Sequence, residues 1–380
     1  MNFSLFEYLY LLFLVLFIFE ILKLVHALVT RRKVTNDSAS ELPFISVIIP
    51  VRNEEERIGK CLSGITQQSY PEHLYEIIVV DDFSEDRTRE IVDEFAMKCK
   101  NLSVFAADPI PNGWSGKSNA NHLASQRARG ELMIFMDADV FANPELLVRT
   151  SNHAMLHKID VMSIVPHRQL ISWAERLLLA PVFLIIAAEY QYRKVQLSGE
   201  FILFRRNVYE ALGGHTVVRS TVSDDLDFAA LLGKTAFKTD FVYAEDLATT
   251  RMYINFSGIY EGISKMYQRL LSENEWVAVW RSTKYFLITL FALISASLFF
   301  TGFHLHFFSA INLLILPALM LAVFIAMTFY LRINFLYGLL MPLGWLFQPV
   351  FLIRSIRGKH THYHKWRGRK VYHQTEKVSS

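Results

Sequence analysis

Leu132-Met133-Ile134-Phe135-Met136-Asp137-Ala138-Asp139 is an apolar run that stops abruptly on two carboxylates. A run of this kind reads as a strand buried on both faces. Residues two apart on an extended chain point the same way, so Asp137 and Asp139 share one side of the strand end. Carboxylates so placed repel unless a cation lies between them. Hard oxygen ligands suit Mg2+ or Mn2+, which need few carboxylates where substrate phosphates supply other ligands. Taken alone, the motif equally fits an Asp turn or helix cap ahead of Asn143-Pro144.

Working outward from this run, short β-branched stretches alternate with amphipathic ones. Strands are expected at 45–49, 76–80, 103–106 and 132–136, with helices at 54–67, 86–99 and 117–129. Such alternation predicts an α/β domain built on a mainly parallel sheet covered on both faces. Ligands of these sheets bind at the carboxyl ends of the strands. Polar clusters follow each strand: Pro50-Val51-Arg52-Asn53-Glu54, then Asp81-Asp82-Phe83-Ser84-Glu85-Asp86, then Gly113-Trp114-Ser115-Gly116-Lys117-Ser118, then Asp137-Ala138-Asp139. All four should meet along one sheet edge.

Each cluster also has an ordinary structural explanation. Ser84 or Asp86 can cap the next helix, which leaves Asp81 and Asp82 without a local use and able to accept bonds from a base or a ribose. Gly116-Lys117-Ser118 matches the end of a phosphate-binding P-loop, but its required first glycine falls on Pro111, which excludes that motif. A Gly-rich loop presenting a lysine at a helix N-terminus remains, suited to anionic or base groups. No GxGxxG occurs, which argues against a dinucleotide site. Farther on, Ser223-Asp224-Asp225-Leu226-Asp227 opens another helix. Its acids either favour the helix dipole or include a general base.

The ends of the chain have a different character. Residues 8–19 and the stretches 285–300, 307–330 and 335–353 are apolar enough to enter a bilayer. Arg31, Arg32 and Lys33 follow the first run, which predicts a retained anchor with residue 31 onward in the cytoplasm. The basic tail 354–370 argues for a cytoplasmic C-terminus, so one segment, the one holding Pro342 and Pro349, is expected to be interfacial or re-entrant. Residues 173–190 and 251–271 are further interfacial stretches. The expected layout is an anchor at 1–30, a catalytic domain at 43–275, membrane segments at 284–353 and a tail at 354–380. His360, His362 and His364 read as solvated or headgroup-facing, and Cys61 and Cys99 as structural thiols in a reducing compartment. The net charge of +3 sits beside membrane segments, which favours lipid over nucleic acid as a partner.

In type, order and spacing, these clusters together resemble the family 2 glycosyltransferases of GT-A fold over roughly residues 44–271. The loop at 114–118 and the tail at 366–372 are similar to membrane members that glycosylate carotenoid acids or hopanoid-type lipids. The resemblance implies a Rossmann-like nucleotide-diphospho-sugar transferase domain and a single inverting displacement onto a lipid or other membrane-associated acceptor. It implies that Pro50, Arg52, Glu54 and Asp82 line the nucleotide pocket of a UDP-sugar and that Gly116 and Lys117 approach its base or phosphates. Asp137 would face the donor's sugars and Asp139 would hold Mg2+ or Mn2+. Asp225 would be the base, beside Asp224, which stands where the family usually has Glu. The Gln-x-x-Arg-Trp signature of polymer-forming members is absent from Gln268-Arg269-Leu270-Leu271, which favours single transfer over processive synthesis. Nucleotidyl transfer and a non-catalytic nucleotide-binding scaffold are the alternatives from other classes.

Overall fold

The computed structural model describes residues 4–37, 41–190, 194–221, 223–301, 310–359, 363–366 and 369–372. It divides into two units, one made of Arg31–Gln169 with Tyr192–Met252, the other of Met1–Thr30, Leu170–Gln191 and Tyr253–His373. In chain order the helices are α1 (Leu5–Val29), α2 (Ile58–Ile65), α3 (Thr88–Lys98), α4 (Gly116–Arg127), α5 (Leu146–Leu156), α6 (Ala180–Tyr190) and α7 (Arg206–Ala211). They continue as α8 (Asp224–Leu232), α9 (Phe256–Glu273), α10 (Glu275–Phe300), α11 (Ile315–Tyr330), α12 (Leu336–Leu346) and α13 (Gln348–Lys359).

In the first unit the strands are β1 (Ile45–Val51), β2 (Tyr75–Asp81), β3 (Leu102–Ala106), β4 (Leu132–Met136), β5 (Val140–Ala142), β6 (Val161–Val165), β7 (His167–Arg168), β8 (Phe201–Arg205), β9 (Thr239–Tyr243) and β10 (Ala248–Thr250). The main sheet runs β3-β2-β1-β4-β8-β6-β9, and a small one runs β5-β10-β7. β1, β2, β3 and β4 are parallel, in keeping with the largely apolar sequences of β1, β2 and β4, whereas β8 pairs antiparallel with both β4 and β6. The period-2 alternation of a strand is visible in the core: Val47 and Ile49 pack in one apolar cluster, while Ile48 packs in the other with Ile78, Val80, Ala120 and Ala124. Each buried Val or Ile side chain contributes about 1.5–3 kcal/mol.

A buried hydroxyl ties the amino ends of three strands together. Ser46 on β1 donates to Glu76 on β2 at 2.7 Å and accepts the Gly130 amide ahead of β4 at 2.7 Å. The expected helix at 54–67 starts later, at Ile58. The cause lies before it: Asn53 is left-handed at φ 51°, and the Glu54 amide goes to the Thr88 hydroxyl at 2.7 Å instead of opening a helix.

In the second unit, Leu5–Val29, Glu275–Phe300, Asn312–Tyr330 and Leu336–Arg357 are long and apolar enough to cross a membrane. Pro342 lies inside α12 without ending it, and the break falls at Phe347 instead. The charges in the stretch 173–190 are used locally. Glu175 accepts the Ser172 amide at 2.5 Å, and Arg176 donates to the Leu170 carbonyl at 3.0 Å. Within apolar helices, Glu20 of α1 accepts from Lys284 at 2.6 Å and from Tyr285 at 2.7 Å, both on α10. A buried carboxylate among apolar helices requires such partners. His360, His362, residues 307–309 and the tail positions 367, 368 and 373–380 lie outside the described residues.

Candidate active site

The expected residues gather at the carboxyl ends of β1, β2 and β4, in three neighbouring groups. The first joins the turns after β1 and β2. Arg52 donates to the main-chain carbonyls of Asp82 at 2.7 Å and Phe83 at 2.6 Å, and to the Glu85 carboxylate at 3.1 Å. Its guanidinium therefore clamps two turns together. Asn53 completes the clamp, donating its amide to Ser84 at 3.1 Å and accepting from the Glu85 amide at 2.8 Å. Asp81 has a local use after all, because its carboxylate accepts the Ser84 amide at 3.2 Å, an ordinary Asp turn. Asp82 is buried beside it, with its amide on the Val51 carbonyl at 2.8 Å.

The second group surrounds Asp139. Arg57 contacts Glu54 at 2.5 Å and lies 4.0 Å from Asp139 Oδ2. Asp139 Oδ1 is buried and has no hydrogen-bond partner among the described residues. Burial, with the nearby Asp137 and Glu54 carboxylates, pushes the Asp139 carboxyl up to about 8 against the opposing pull of Arg57. A buried carboxylate oxygen with no hydrogen-bond partner is chemically suited to be a cation ligand. No three His, Cys, Asp or Glu side chains among the described residues converge as a complete metal cage. The residues present thus fit a divalent ion that takes its remaining ligands from a substrate, the habit of Mg2+.

In the third group, Lys117 stands between two carboxylates. Ser115 caps α4 by accepting the Ser118 amide at 3.1 Å, which makes Gly116 the first residue of the helix and turns Lys117 inward. Its ammonium lies 2.7 Å from Asp137 and 3.6 Å from Asp224 at the start of α8. Burial alone would lower the Lys117 pKa, but Asp137 and Asp224 outweigh it and keep the group a cation. Lys117, Asp137 and Asp224 border a cavity of about 10 Å³ together with Pro50, Asn121 and Gly199. That volume suits one water molecule.

Asp225 stands apart from its neighbour. It is half-buried and lies against Gly199, where an added Cβ would sit 3.6 Å from the Asp225 carboxyl carbon. Asp224 is buried under Lys117 and 3.7 Å from His215 Nε2, an environment that favours a fixed carboxylate over a proton acceptor. The pair therefore divides into an anchored acid and a more accessible one.

Several site residues were not foreseen from the sequence: Arg57, Asn121, His215, and the Glu200–Arg168 pair at 3.1 Å. Glu200 matters because its carbonyl accepts the Asp137 amide at 3.1 Å, joining the start of β8 to the end of β4. The one local signal was Gly213-Gly214 directly before His215, since adjacent glycines mark an unusual backbone.

This strand order, with acidic turns at the β1, β2 and β4 ends and a further acidic helix start facing them, defines a GT-A nucleotide-diphospho-sugar transferase fold. Residues 46–213 match the profile of glycosyl transferase family 2. Glycosyltransferase AglE of Haloferax volcanii is 39% identical over 110 residues, 29% of this chain and 35% of that protein. The 4,4'-diaponeurosporenoate glycosyltransferase of Staphylococcus haemolyticus is 42% identical over 125 residues, 32% of each chain. The beta-monoglucosyldiacylglycerol synthase of Trichormus variabilis is 26% identical over 203 residues, 52% of this chain and 42% of that one. The chain thus spans a third to two fifths of these relatives' lengths. Among solved structures, a mannosyltransferase from Pyrobaculum calidifontis in complex with GDP-Man and Mn2+ has a TM-score of 0.59 at 18% identity, covering 94% of this chain and 99% of that one.

Proposed function

We propose that the protein transfers a sugar from a UDP-sugar to a lipid or other membrane-associated acceptor, with inversion at the anomeric carbon. The observation that carries this reading is the orphaned Asp139 oxygen beside Asp137 at a strand end, where the family holds a donor diphosphate. The acceptor is inferred from the four helical stretches among the described residues that are apolar enough to cross a membrane, and from relatives named for a carotenoid acid and a diacylglycerol product.

In this scheme Asp82 bonds the uracil and Pro50 lines the pocket, while Arg52 and Asn53 keep the two turns in register. Asp139 would hold Mg2+ or Mn2+, with Asp137 beside it facing the donor's sugars. A bound ion would supply charge neutralisation for the departing diphosphate. Lys117 holds Asp137 and Asp224 in place, so it acts on the donor through these carboxylates. Asp225 accepts the proton of an acceptor hydroxyl as the oxygen attacks the anomeric carbon. If the acceptor is a carboxylic acid, already ionised, Asp225 serves to orient it.

Lipid extracts from cells with and without the chain, compared by mass spectrometry, test this reading. The expected result is one glycolipid that disappears with the protein and is restored by the wild type but not by Asp225→Asn. Long polysaccharide products would overturn single transfer in favour of a processive synthase.

A further inference from the structure

His215 is a buried histidine that the scheme above does not use. Its ring is 1% exposed and lies among Phe135, Phe228 and Tyr209, at centroid distances of 4.6, 5.2 and 5.7 Å. The backbone that delivers it is unusual: Gly213 and Gly214 are left-handed, at φ 87° and 56°. A Cβ on Gly214 would stand 2.8 to 3.0 Å from the Tyr209 ring edge and hydroxyl. Glycine thus lets the chain fold directly over Tyr209. The Tyr209 hydroxyl in turn accepts the His215 amide at 3.1 Å and meets Nδ1 at 2.7 Å.

The surroundings determine where the ring proton sits. Burial lowers the His215 pKa, so the imidazole is neutral and carries one N–H. Nε2 faces Asp224 Oδ2 at 3.7 Å and the Asn121 carboxamide at 3.2 Å. A bare Nε2 lone pair would confront a carboxylate. With the proton on Nε2, Tyr209 becomes the donor to Nδ1 and the Nε2–H dipole points toward the Asp224 carboxylate 3.7 Å away, an electrostatic contact longer than a hydrogen bond. Asn121 Oδ1 is buried and has no hydrogen-bond partner among the described residues. Turning over its isosteric amide gives that oxygen the same N–H.

We propose that His215 is a positioning residue for the acidic pair: its Nε2–H and the Lys117 ammonium hold Asp224, and this fixes the first turn of α8 so that Asp225 faces the acceptor. The inference rests on the reading of Asp225 as the base. A tether is needed there because Ser223, at the N-cap of α8, makes no side-chain capping bond. Asp224 fills that role from inside the helix, and the next residue is turned roughly 100° away, toward Gly199.

The test uses the full chain in lipid nanodiscs, with UDP-glucose or UDP-N-acetylglucosamine as donor and a lipid extract of the source cells as acceptor. His215→Phe keeps the ring packing and loses the hydrogen bonds. It should bind UDP with Mn2+ as the wild type does and lose about tenfold or more in kcat, with donor KM within about twofold. His215→Gln places an N–H near the Nε2 position and should recover most of the rate. Tyr209→Phe leaves every ring in place and supplies the same kcat test if His215→Phe fails to fold. A His215→Phe or Tyr209→Phe kcat within about twofold of wild type overturns the inference, as does a folded His215→Gln no faster than His215→Phe. Wild type that transfers no sugar from any nucleotide sugar overturns the glycosyl-transfer reading itself, and the inference with it.

Discussion

Lys117→Met removes one charge that two carboxylates share, and the consequence for stability follows from the geometry. The ammonium lies 2.7 Å from Asp137 and 3.6 Å from Asp224, and the side chains of Lys117, Asp137 and Asp224 are 37%, 32% and 11% exposed. Breaking a fully buried pair costs about 3–5 kcal/mol, while an exposed pair is worth at most about 1 kcal/mol. Two of the three groups are a third exposed, which moves the cost down, and two acids lose one partner, which moves it up. The expected loss is about 2–3 kcal/mol near neutral pH. The variant should also show a steeper pH dependence. Burial already raises the Asp137 carboxyl, and with no cation beside it the folded pKa moves further above the unfolded value. The native state then holds a proton that the unfolded state releases, and stability falls as pH rises through that interval. The deficit should therefore be smaller at about pH 5 than at about pH 7.5. Unfolding of the detergent-solubilised full chain at both pH values, with the exposed Lys98→Met as control, measures it. A Lys117→Met deficit equal to that of the control, or unchanged between the two pH values, would refute the reasoning.

Other expectations follow from single observations. Because the Asp139 carboxyl is pushed up to about 8, a cation must displace its proton; Mn2+ affinity measured by titration calorimetry with UDP present should rise with pH toward about 8 and level off above it. Asp139→Asn should abolish that slope. Gly214→Ala, with a left-handed φ and a Cβ 2.8 Å from Tyr209, should lower the unfolding temperature more than Gly233→Ala, where the nearest contact is 3.4 Å. Glu20→Leu strips Lys284 and Tyr285 of a shared acceptor and should destabilise the helical unit, read as a loss of detergent-resistant folded protein; Glu20→Gln should retain part of it.

The half of the sheet that carries the polar turns after β1, β2 and β4 was legible in the sequence. β1, β2 and β4 are largely apolar runs, and the alternation of strands with intervening helices points to a parallel sheet. The other half was not. β8 enters antiparallel between β4 and β6, a pairing set by long-range packing, and β5, β7 and β10 are too short to announce themselves by periodicity. The acids of the site could be read because each follows a strand or opens a helix. Their roles could not, because those depend on partners distant in sequence. Arg52 and Lys117 look like ligand-binding cations in a linear chain, yet the fold spends the first on main-chain carbonyls and the second on Asp137 and Asp224. His215 reaches Asp224 only because two left-handed glycines fold the loop over Tyr209.

The claim on which the account depends is that Asp139 binds a divalent ion that the donor's diphosphate completes. Calorimetric titration of UDP into the purified full chain, with Mn2+ and then with EDTA, tests it most directly. The account predicts binding that requires Mn2+ and is lost in Asp139→Ala while the variant remains folded. UDP binding of equal strength in EDTA, or undiminished in Asp139→Ala, would contradict it.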